Sequence, residues 1–205
     1  MTKSDYYNRG KVIPLGDTKI LGLGEIIRYN NRPKIKHENV AEHSFYVSTS
    51  VLKICEMYKV SDTIRLKALE FAAVHDIPEL LVGDIPYDTK VNNPDLAVAI
   101  EDAELLALKQ SMPEYVELYQ KFLDEEKRQT VAYLIIKLAD TASVLQYSNQ
   151  EIQLGNKTEQ MKEINEGAMK RVLDLVKRLE ASIDEEEYLI KLNAEKDGSN
   201  VDILA

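Results

Sequence analysis

Cysteine, tryptophan and histidine are scarce in this chain of 205 residues, which has one cysteine, no tryptophan and three histidines. The single cysteine, Cys55, excludes an internal disulfide and a thiolate-rich zinc site, and we expect it to be a small core residue on a helix. No apolar run reaches the ~18 residues that a membrane span needs. The first residues, MTKSDYYNRGK, lack the apolar region of a signal peptide. We therefore expect a cytoplasmic protein with no membrane segment.

Positive charge is also in short supply, since 26 lysines and arginines face 35 aspartates and glutamates, for a formal net charge of −9. An acidic surface repels a nucleic-acid polymer, whose binding depends on many basic contacts to phosphate. One short segment is locally basic, with Arg28, Arg32, Lys34 and Lys36. The residues alone leave two interpretations open: a solvated basic loop, or part of a pocket for a small anionic substrate.

Strand patterns are almost absent, because no stretch sustains an alternation of apolar and polar residues. Helical periodicity is widespread, and Asn39 has the residue type of a helix N-cap, whereas Pro78 cannot continue a helix. The pattern predicts helices over 21–29, 39–58, 61–77, 79–82, 95–110, 113–123, 126–149 and 160–181, with a loop over 83–93. Without an internal repeat or a linker, we predict a single all-α domain over 1–192 and a polar, partly disordered tail over 193–205.

Four ionisable side chains occupy positions that should face the protein core. His43 shares its helix face with apolar residues four, eight and eleven positions further on, and His75 and Asp76 interrupt the apolar segment LEFAAVHDI. Asp140 lies in YLIIKLADTASVLQY, again among apolar neighbours on its helix face. One such residue is usually a hydrogen-bonded core residue, but four of them need partners to offset several kcal/mol of burial each.

A divalent cation would serve all four side chains at once. Imidazole nitrogens and carboxylate oxygens suit Mn²⁺, Fe²⁺, Co²⁺, Ni²⁺ or Zn²⁺, and Mg²⁺ is a further identity that the sequence does not separate from these. Two histidines and two aspartates leave coordination positions open for water or substrate, which a catalytic site needs and a structural site avoids. The residues therefore predict a hydrolytic metal site.

Three longer segments resemble one known family. They are RYNNRPKIKHENVAEHS, AAVHDIPELLVGDIPYDTK and KLADTASVLQY. Together they resemble the metal-dependent phosphohydrolases of the HD superfamily, and in particular the bacterial 5′-deoxynucleotidases, over roughly residues 15 to 180. The resemblance implies a compact helical HD-domain fold, a nucleotide substrate, a homodimer and an enzyme that releases phosphate from deoxynucleoside 5′-monophosphates.

The resemblance also implies roles for individual residues. The implied ligands of one divalent ion are His43, His75, Asp76 and Asp140. Glu79 and Asp76 would handle protons, and Arg28 would orient the phosphate with its planar guanidinium. By spacing, Glu79 shares a face with His75 only if the helix continues through Pro78.

Sugar and base contacts are implied for five further residues, namely Tyr29, Asp84, Ile85, Pro86 and Tyr87. Asp84 is the natural acceptor for a deoxyribose hydroxyl. Tyr29 stands where the family has tryptophan, and Tyr87 is bulkier than the threonine expected at its position, so sugar or base preference can differ. His37 matches no family residue, and we expect it to be solvated.

Two alternatives remain open at this point. The chain could hydrolyse (deoxy)nucleoside triphosphates, with Arg32, Lys34 and Lys36 serving the longer phosphate chain. It could also be a regulatory protein that binds metal or nucleotide without turnover.

Overall fold

The computed structural model describes the backbone of residues 18–196, and all side chains in that range except those of 18, 87, 88 and 186–196. Two 3-10 helices span Thr18–Glu25 and Pro113–Tyr115. The α-helices are α1 (Val40–Met57), α2 (Asp62–Val74), α3 (Glu79–Val82), α4 (Tyr87–Val91), α5 (Pro94–Ser111), α6 (Val116–Arg128), α7 (Val131–Gln153) and α8 (Glu159–Lys196). The described residues form no β-strand, only one isolated antiparallel bridge between Ile27 and Asn39. The predicted all-α fold is confirmed.

Helix α7 lies at the centre of the fold, packed against α1, α2, α6 and α8. Its first six residues, 131–136, are apolar on every side and all buried, as expected for a helix segment surrounded by protein. Cys55 is a buried, free thiol in this core, as predicted. A second cluster joins Val74 and Ile77 to Leu108 of α5 and to Met112, which directly follows that helix, and so fixes the turn that follows α2.

Polar caps set where the helices begin. Asn39 accepts a hydrogen bond from the Glu42 amide, and the Glu42 side chain accepts one from the Asn39 amide, forming the capping box at the start of α1. Ser61 and Thr130 cap α2 and α7 in the same way with their hydroxyls. The predicted start of the second helix at Asn39 is therefore correct.

The predicted helix over 126–149 is wrong at its beginning. Gln129 adopts a left-handed conformation with φ of 52°, which ends α6, and α7 begins only after Thr130. The Thr130 hydroxyl also donates a 2.6 Å hydrogen bond to Glu125, and this local side-chain contact marks the break. The helix predicted over 21–29 is also wrong, because the 3-10 helix ends at Glu25 and the chain then extends to pair with residues 38–40.

The predicted continuation of the third helix to residue 77 fails for a simple reason. Pro78 has no N–H to bond the Val74 carbonyl, so Ile77 N donates to it instead at 3.1 Å and α2 ends at Val74. Residues 75–78 form turns, and α3 begins at Glu79. The loop predicted over 83–93 also contains a short helix, α4.

The two ends of the sequence are described only in part. Helix α8 extends past the predicted end at 181 and past the proposed domain boundary at 192, as far as Lys196. Residues 1–17 and 197–205, with the predicted N-terminal and tail features, lie outside the described residues, so the division at 192 stays a prediction. No helix in the described part of the chain combines the length and apolar character that crossing a membrane requires.

Candidate functional site

The four side chains predicted as metal ligands come together from three places in the fold. His43 on α1 is 1% exposed, and its Nε2 lies 3.3 Å from Asp76 Oδ2 and 3.3 Å from Asp140 Oδ1. His75 follows α2 directly, and its Nε2 lies 3.2 Å from the same oxygen of Asp76. Helices α1 and α7 and the turn after α2 thus direct two imidazoles and two carboxylates at one point.

Hydrogen bonds on the far side of each imidazole determine which nitrogen faces the cluster. His43 Nδ1 lies 3.0 Å from Ser143 Oγ, and His75 Nδ1 lies 3.0 Å from the Ala72 carbonyl oxygen. A carbonyl oxygen only accepts, so Nδ1 of His75 carries the proton and Nε2 has a free lone pair. These contacts are of the kind that orient metal-binding histidines.

The donor set fits a divalent cation. His75 Nε2 is buried and has no hydrogen-bond partner among the described residues, although a carboxylate oxygen lies beside it. His43, His75 and Asp140 each offer one ligand atom, and all three atoms lie within 4.8 Å of one another. Asp76 adds an oxygen that contacts both imidazoles. Borderline first-row cations accept this mixture of nitrogen and oxygen.

Both aspartates are held in the charged form that a cation requires. Burial disfavours the charge of Asp76, but His75 and His43 outweigh it and keep the pKa of Asp76 well below its ordinary value. Burial likewise acts against Asp140, whose pKa is nevertheless lowered strongly by Lys137 and His43. Lys137 Nζ donates to Asp140 Oδ2 at 3.1 Å, and Asp140 in turn raises the pKa of Lys137.

Glu79 has the opposite tendency. Burial, and after it the charges of Asp76 and Asp84, raise the pKa of Glu79 well above its ordinary value. Its Oε2 is buried and meets no hydrogen-bond partner in the part of the chain that the structure describes. The helix does not continue through Pro78 as the spacing argument required, yet the turn over 75–78 still brings Glu79 to the same cavity as Asp76. A carboxyl group beside charged carboxylates is suited to holding and giving a proton.

Arg28 is held by a small antiparallel pairing. Its backbone N–H donates to the Glu38 carbonyl at 2.9 Å, and Val40 N donates to Ile26 O at 3.0 Å. Across this pairing the Arg28 guanidinium donates to Glu38 Oε2 at 2.9 Å, and Glu38 is 3% exposed. A buried charged pair fixes the arginine side chain, with its guanidinium lining the cavity.

Tyr29 has an unusual backbone for a residue other than glycine, with φ of 55°. Its N–H donates to Asp84 Oδ2 at 3.2 Å, and its ring stacks on Tyr147 with centroids 4.4 Å apart and planes at 3°. The Tyr29 hydroxyl is buried and has no hydrogen-bond partner within the described range. Asp84, predicted to accept from a sugar, is therefore also the residue that holds the left-handed backbone of Tyr29.

A cavity of about 850 Å³ opens over the cluster. Of the predicted sugar and base contacts, Tyr29, Asp84, Ile85 and Pro86 line it, whereas the Tyr87 side chain lies outside the described residues. Among the described residues six cations and six acids line it, namely Arg28, Arg32, Lys90, Lys137, Arg171 and Arg178, and Asp76, Glu79, Asp84, Asp140, Glu163 and Asp174. A cation at the cluster would make this lining net positive in a chain of net charge −9.

The four basic residues of the segment 28–36 have two different roles. Arg28 and Arg32 line the cavity. Lys34 Nζ donates to the Tyr29 carbonyl at 2.9 Å, and Lys36 Nζ donates to Gln150 at 3.1 Å, so both support the loop itself. His37 is exposed, as expected of a solvated residue.

Helix α7 carries a row of polar residues, and only one of them, Asp140, was predicted from the sequence as a site residue. The row consists of Lys137, Asp140, Ser143, Tyr147 and Glu151. Spacings of three and four residues place them along one side of the helix. Glu151 is fully buried and accepts from the amides of Ile35 and Lys36, at 2.8 and 2.6 Å. The sequence could have indicated Lys137, because this lysine interrupts an otherwise apolar segment. No feature of the sequence indicated the role of Glu38.

Comparison with known proteins identifies the relatives of this chain. The model of the family described as 5′-deoxynucleotidase YfbR-like matches residues 18–189. A 5′-deoxynucleotidase of Photorhabdus laumondii is 29% identical over 129 residues, which cover 60% of this chain and 66% of the relative. The chain thus spans just under two thirds of the length of that relative.

Solved structures share the fold. An HD-domain phosphohydrolase from Listeria innocua superposes with a TM-score of 0.66 at 24% identity, covering 96% of this chain and 92% of that one. The HD phosphohydrolase DatZ of cyanophage S-2L, solved with dA and one catalytic Zn²⁺ ion, gives a TM-score of 0.62 at 20% identity, with 82% and 94% coverage. With its family model covering most of its length and its fold shared with HD phosphohydrolases, the chain belongs to the YfbR-like 5′-deoxynucleotidase family.

Proposed function

We propose that this protein is a metal-dependent phosphomonoesterase that hydrolyses deoxynucleoside 5′-monophosphates to nucleosides and inorganic phosphate. The observation that carries the proposal is the cluster of His43, His75, Asp76 and Asp140, which adjoins a cavity also lined by Arg28 and Glu79. Family membership and the 5′-deoxynucleotidase relatives support the substrate class.

The two histidines and two aspartates would hold one divalent ion. Such an ion acts as a Lewis acid and makes a water molecule acidic enough to supply hydroxide near neutral pH. The protein contributes the orientation of these ligands through Ser143, Ala72 and Lys137.

Arg28 would bind the phosphoryl group and stabilise the charge that develops on its oxygens. The planar guanidinium offers paired donors to two oxygens. Because Glu38 already holds one side of this group, its orientation is fixed before a substrate arrives.

Glu79 and Asp76 would move the protons. The ionised Asp76 accepts a proton from the attacking water as the new bond to phosphorus forms. Glu79 donates its proton from Oε2 to the 5′-oxygen as the bond between that oxygen and phosphorus breaks, so the sugar leaves as a neutral alcohol. Proton exchange with solvent then returns a proton to Glu79 and removes the one that Asp76 accepted, which restores both groups.

A second candidate function is hydrolysis of nucleoside triphosphates. Arg171 and Arg178, both on α8, line the same cavity as Arg28. Three arginines on one cavity, of which Arg178 is also paired with Asp174 at 3.6 Å, are the observation that favours a longer phosphate chain.

The test begins with protein stripped of metal and reloaded separately with Co²⁺, Mn²⁺, Mg²⁺ or Zn²⁺. Each form is given deoxynucleoside monophosphates, ribonucleoside monophosphates and deoxynucleoside triphosphates, and the products are separated. We expect metal-dependent release of inorganic phosphate from the deoxymonophosphates. Cleavage of triphosphates alone would refute the substrate class, and no cleavage with metal bound would favour a regulatory protein.

A pair of variants separates catalysis from metal binding. Glu79→Gln should retain the metal and lose about 100-fold or more in kcat, since general acid catalysis contributes roughly that factor. Glu166→Gln, at an exposed position outside the cavity, is the matched control and should behave as wild type. Equal activity in both variants would refute the role of Glu79.

Two further expectations belong to this proposal. We expect a homodimer, as the family resemblance implies, and a location in the cytoplasm, as the sequence analysis predicts. Native mass measurement and cell fractionation test these two expectations directly.

A further inference from the structure

Lys137 is out of place in the most buried helix of the protein. Within residues 131–141 every residue is buried except Lys137 and Asp140. The Lys137 side chain is 40% exposed and lines the cavity that adjoins the metal cluster. A partly exposed lysine at the cavity edge of an otherwise buried segment is placed to contact charged groups in the cavity.

The contacts of Asp140 divide its carboxylate into two halves. Oδ1 faces His43 Nε2 at 3.3 Å, and Oδ2 accepts from Lys137 Nζ at 3.1 Å. The ammonium group therefore lies next to a candidate metal ligand, at the carboxylate oxygen that does not face His43, and the lysine side chain lines the cavity.

This hydrogen bond uses one of the three donors of the ammonium group. It is the only hydrogen bond or ion pair of Lys137 with the residues that the structure describes. Two N–H donors are left for a ligand in the cavity.

A simpler interpretation is that Lys137 only neutralises Asp140, as in ordinary surface pairs three residues apart on a helix. Such pairs contribute little. A divalent ion at the cluster would already neutralise Asp140, which leaves Lys137 beside a second cation, with Glu126 acting on it only through its charge and without an ion pair. An anion that contacts both removes that repulsion.

We propose that Lys137 binds a phosphoryl oxygen of the substrate and of the product phosphate, as a second cation besides Arg28. The proposal rests on the proposed function for the identity of the substrate. It does not rest on turnover, because inorganic phosphate alone is expected to bind in the same place. Binding of phosphate and binding of the metal then support each other through Lys137 and Asp140.

The experiment compares Lys137→Met and Lys137→Arg with a matched control, Lys121→Met, in full-length protein. Lys121 forms a helical pair with Glu117 on the exposed surface, so its replacement removes the same charge away from the cavity. Calorimetry measures the affinity for Mn²⁺, then the affinity of the loaded protein for inorganic phosphate. Thermal unfolding checks that each variant folds.

We expect Lys137→Met to bind Mn²⁺ at least as tightly as wild type and to bind phosphate about tenfold or more weakly, the effect of one charge-assisted hydrogen bond. Lys137→Arg should retain most of the phosphate affinity, and Lys121→Met all of it. Phosphate affinity within twofold of wild type in Lys137→Met would overturn the proposal, as would undetectable phosphate binding by wild type. An equal loss of metal and phosphate affinity would also overturn it, because Lys137 would then only position Asp140.

These results separate the inference from the proposed function. A wild-type protein that binds metal and phosphate through Lys137 but hydrolyses no monophosphate would refute the function and leave the assignment of Lys137 intact. Hydrolysis of deoxymonophosphates with unchanged phosphate affinity in Lys137→Met would refute the assignment alone.

Discussion

Replacing Glu151 by glutamine should weaken the fold by an amount that the structure allows us to estimate. Its Oε2 accepts from Ile35 N and from Asn156 Nδ2, both at 2.8 Å, and its Oε1 accepts from Lys36 N at 2.6 Å. The carboxylate is fully buried, so water cannot take over these contacts. It ties the end of α7 to the loop between Arg28 and α1.

The amide of glutamine has one acceptor oxygen, so at least one of the three donors loses its partner and faces an N–H group. A buried donor without a partner costs about 1–3 kcal/mol, and the loss of charge weakens the contacts that remain. We therefore expect Glu151→Gln to lower the free energy of unfolding by about 2–3 kcal/mol. In a chain of this size that corresponds to roughly 5–10 °C in Tm.

The pH dependence gives a sharper test. Burial alone would raise the pKa of Glu151, but hydrogen bonds from Asn156, Ile35 and Lys36 outweigh it and lower the pKa. A group with a lowered folded pKa stabilises the protein above its unfolded pKa, about 4.3 for glutamate, and loses that contribution as pH falls through the folded value. The difference between wild type and Glu151→Gln should therefore shrink as pH falls from about 6 towards 3.

Urea unfolding at several pH values measures this difference, with the exposed Glu166→Gln as control. Other carboxyl groups titrate in both proteins and cancel in the comparison. Hydrogen exchange at the amides of Ile35 and Lys36 should also be faster in Glu151→Gln. A stability difference that stays constant over this pH range would refute the reasoning, because the charge of Glu151 would then not carry the contacts.

Three further predictions concern the site and its supports. Metal added to about 100-fold over its Kd should stabilise wild type by about 2.7 kcal/mol in thermal unfolding, and Asp140→Asn should lose most of that gain; equal gains would contradict the ligand role. Ser143→Ala removes the partner of His43 Nδ1 and should weaken metal binding about 10-fold or more in a titration; unchanged affinity would show that the hydroxyl does not orient the imidazole. Gly83→Ala places a side chain at φ of 83° and ψ of 164°, which favours glycine, and should lower the free energy of unfolding in urea by about 1–3 kcal/mol even though no atom of the described residues lies within 4 Å of the added Cβ; an unchanged midpoint would show that the turn adapts.

The cluster of His43, His75, Asp76 and Asp140 could be predicted because helical periodicity gives directions. An ionisable residue on an apolar helix face must point inward, and four such residues must find common partners. His75 and Asp76 reach the cluster although the predicted helix ends before them, since both lie in a turn after α2.

The supports of the site were much harder to predict. Glu38 meets Arg28 only because the chain folds back on itself over ten residues, and no periodicity describes such a loop. Tyr147 and Glu151 lie in the second half of α7, where polar and apolar residues mix. Their partners, Tyr29 and the amides of Ile35 and Lys36, are more than a hundred residues away in the sequence.

The polar row on α7 means that a single helix sets the distances between the separate parts of the site. From Lys137 to Glu151 the helix advances about 21 Å at 1.5 Å per residue, and the parts attached to it keep that spacing whatever the loops do. Inserting one residue after Lys137 would turn everything beyond it by about 100°. A change of length there would thus disrupt three contacts at once: the metal cluster, the stacking of Tyr29 on Tyr147, and the hydrogen bonds of Glu151 to the loop. A change of length in one of the turns between other helices would not disrupt all three.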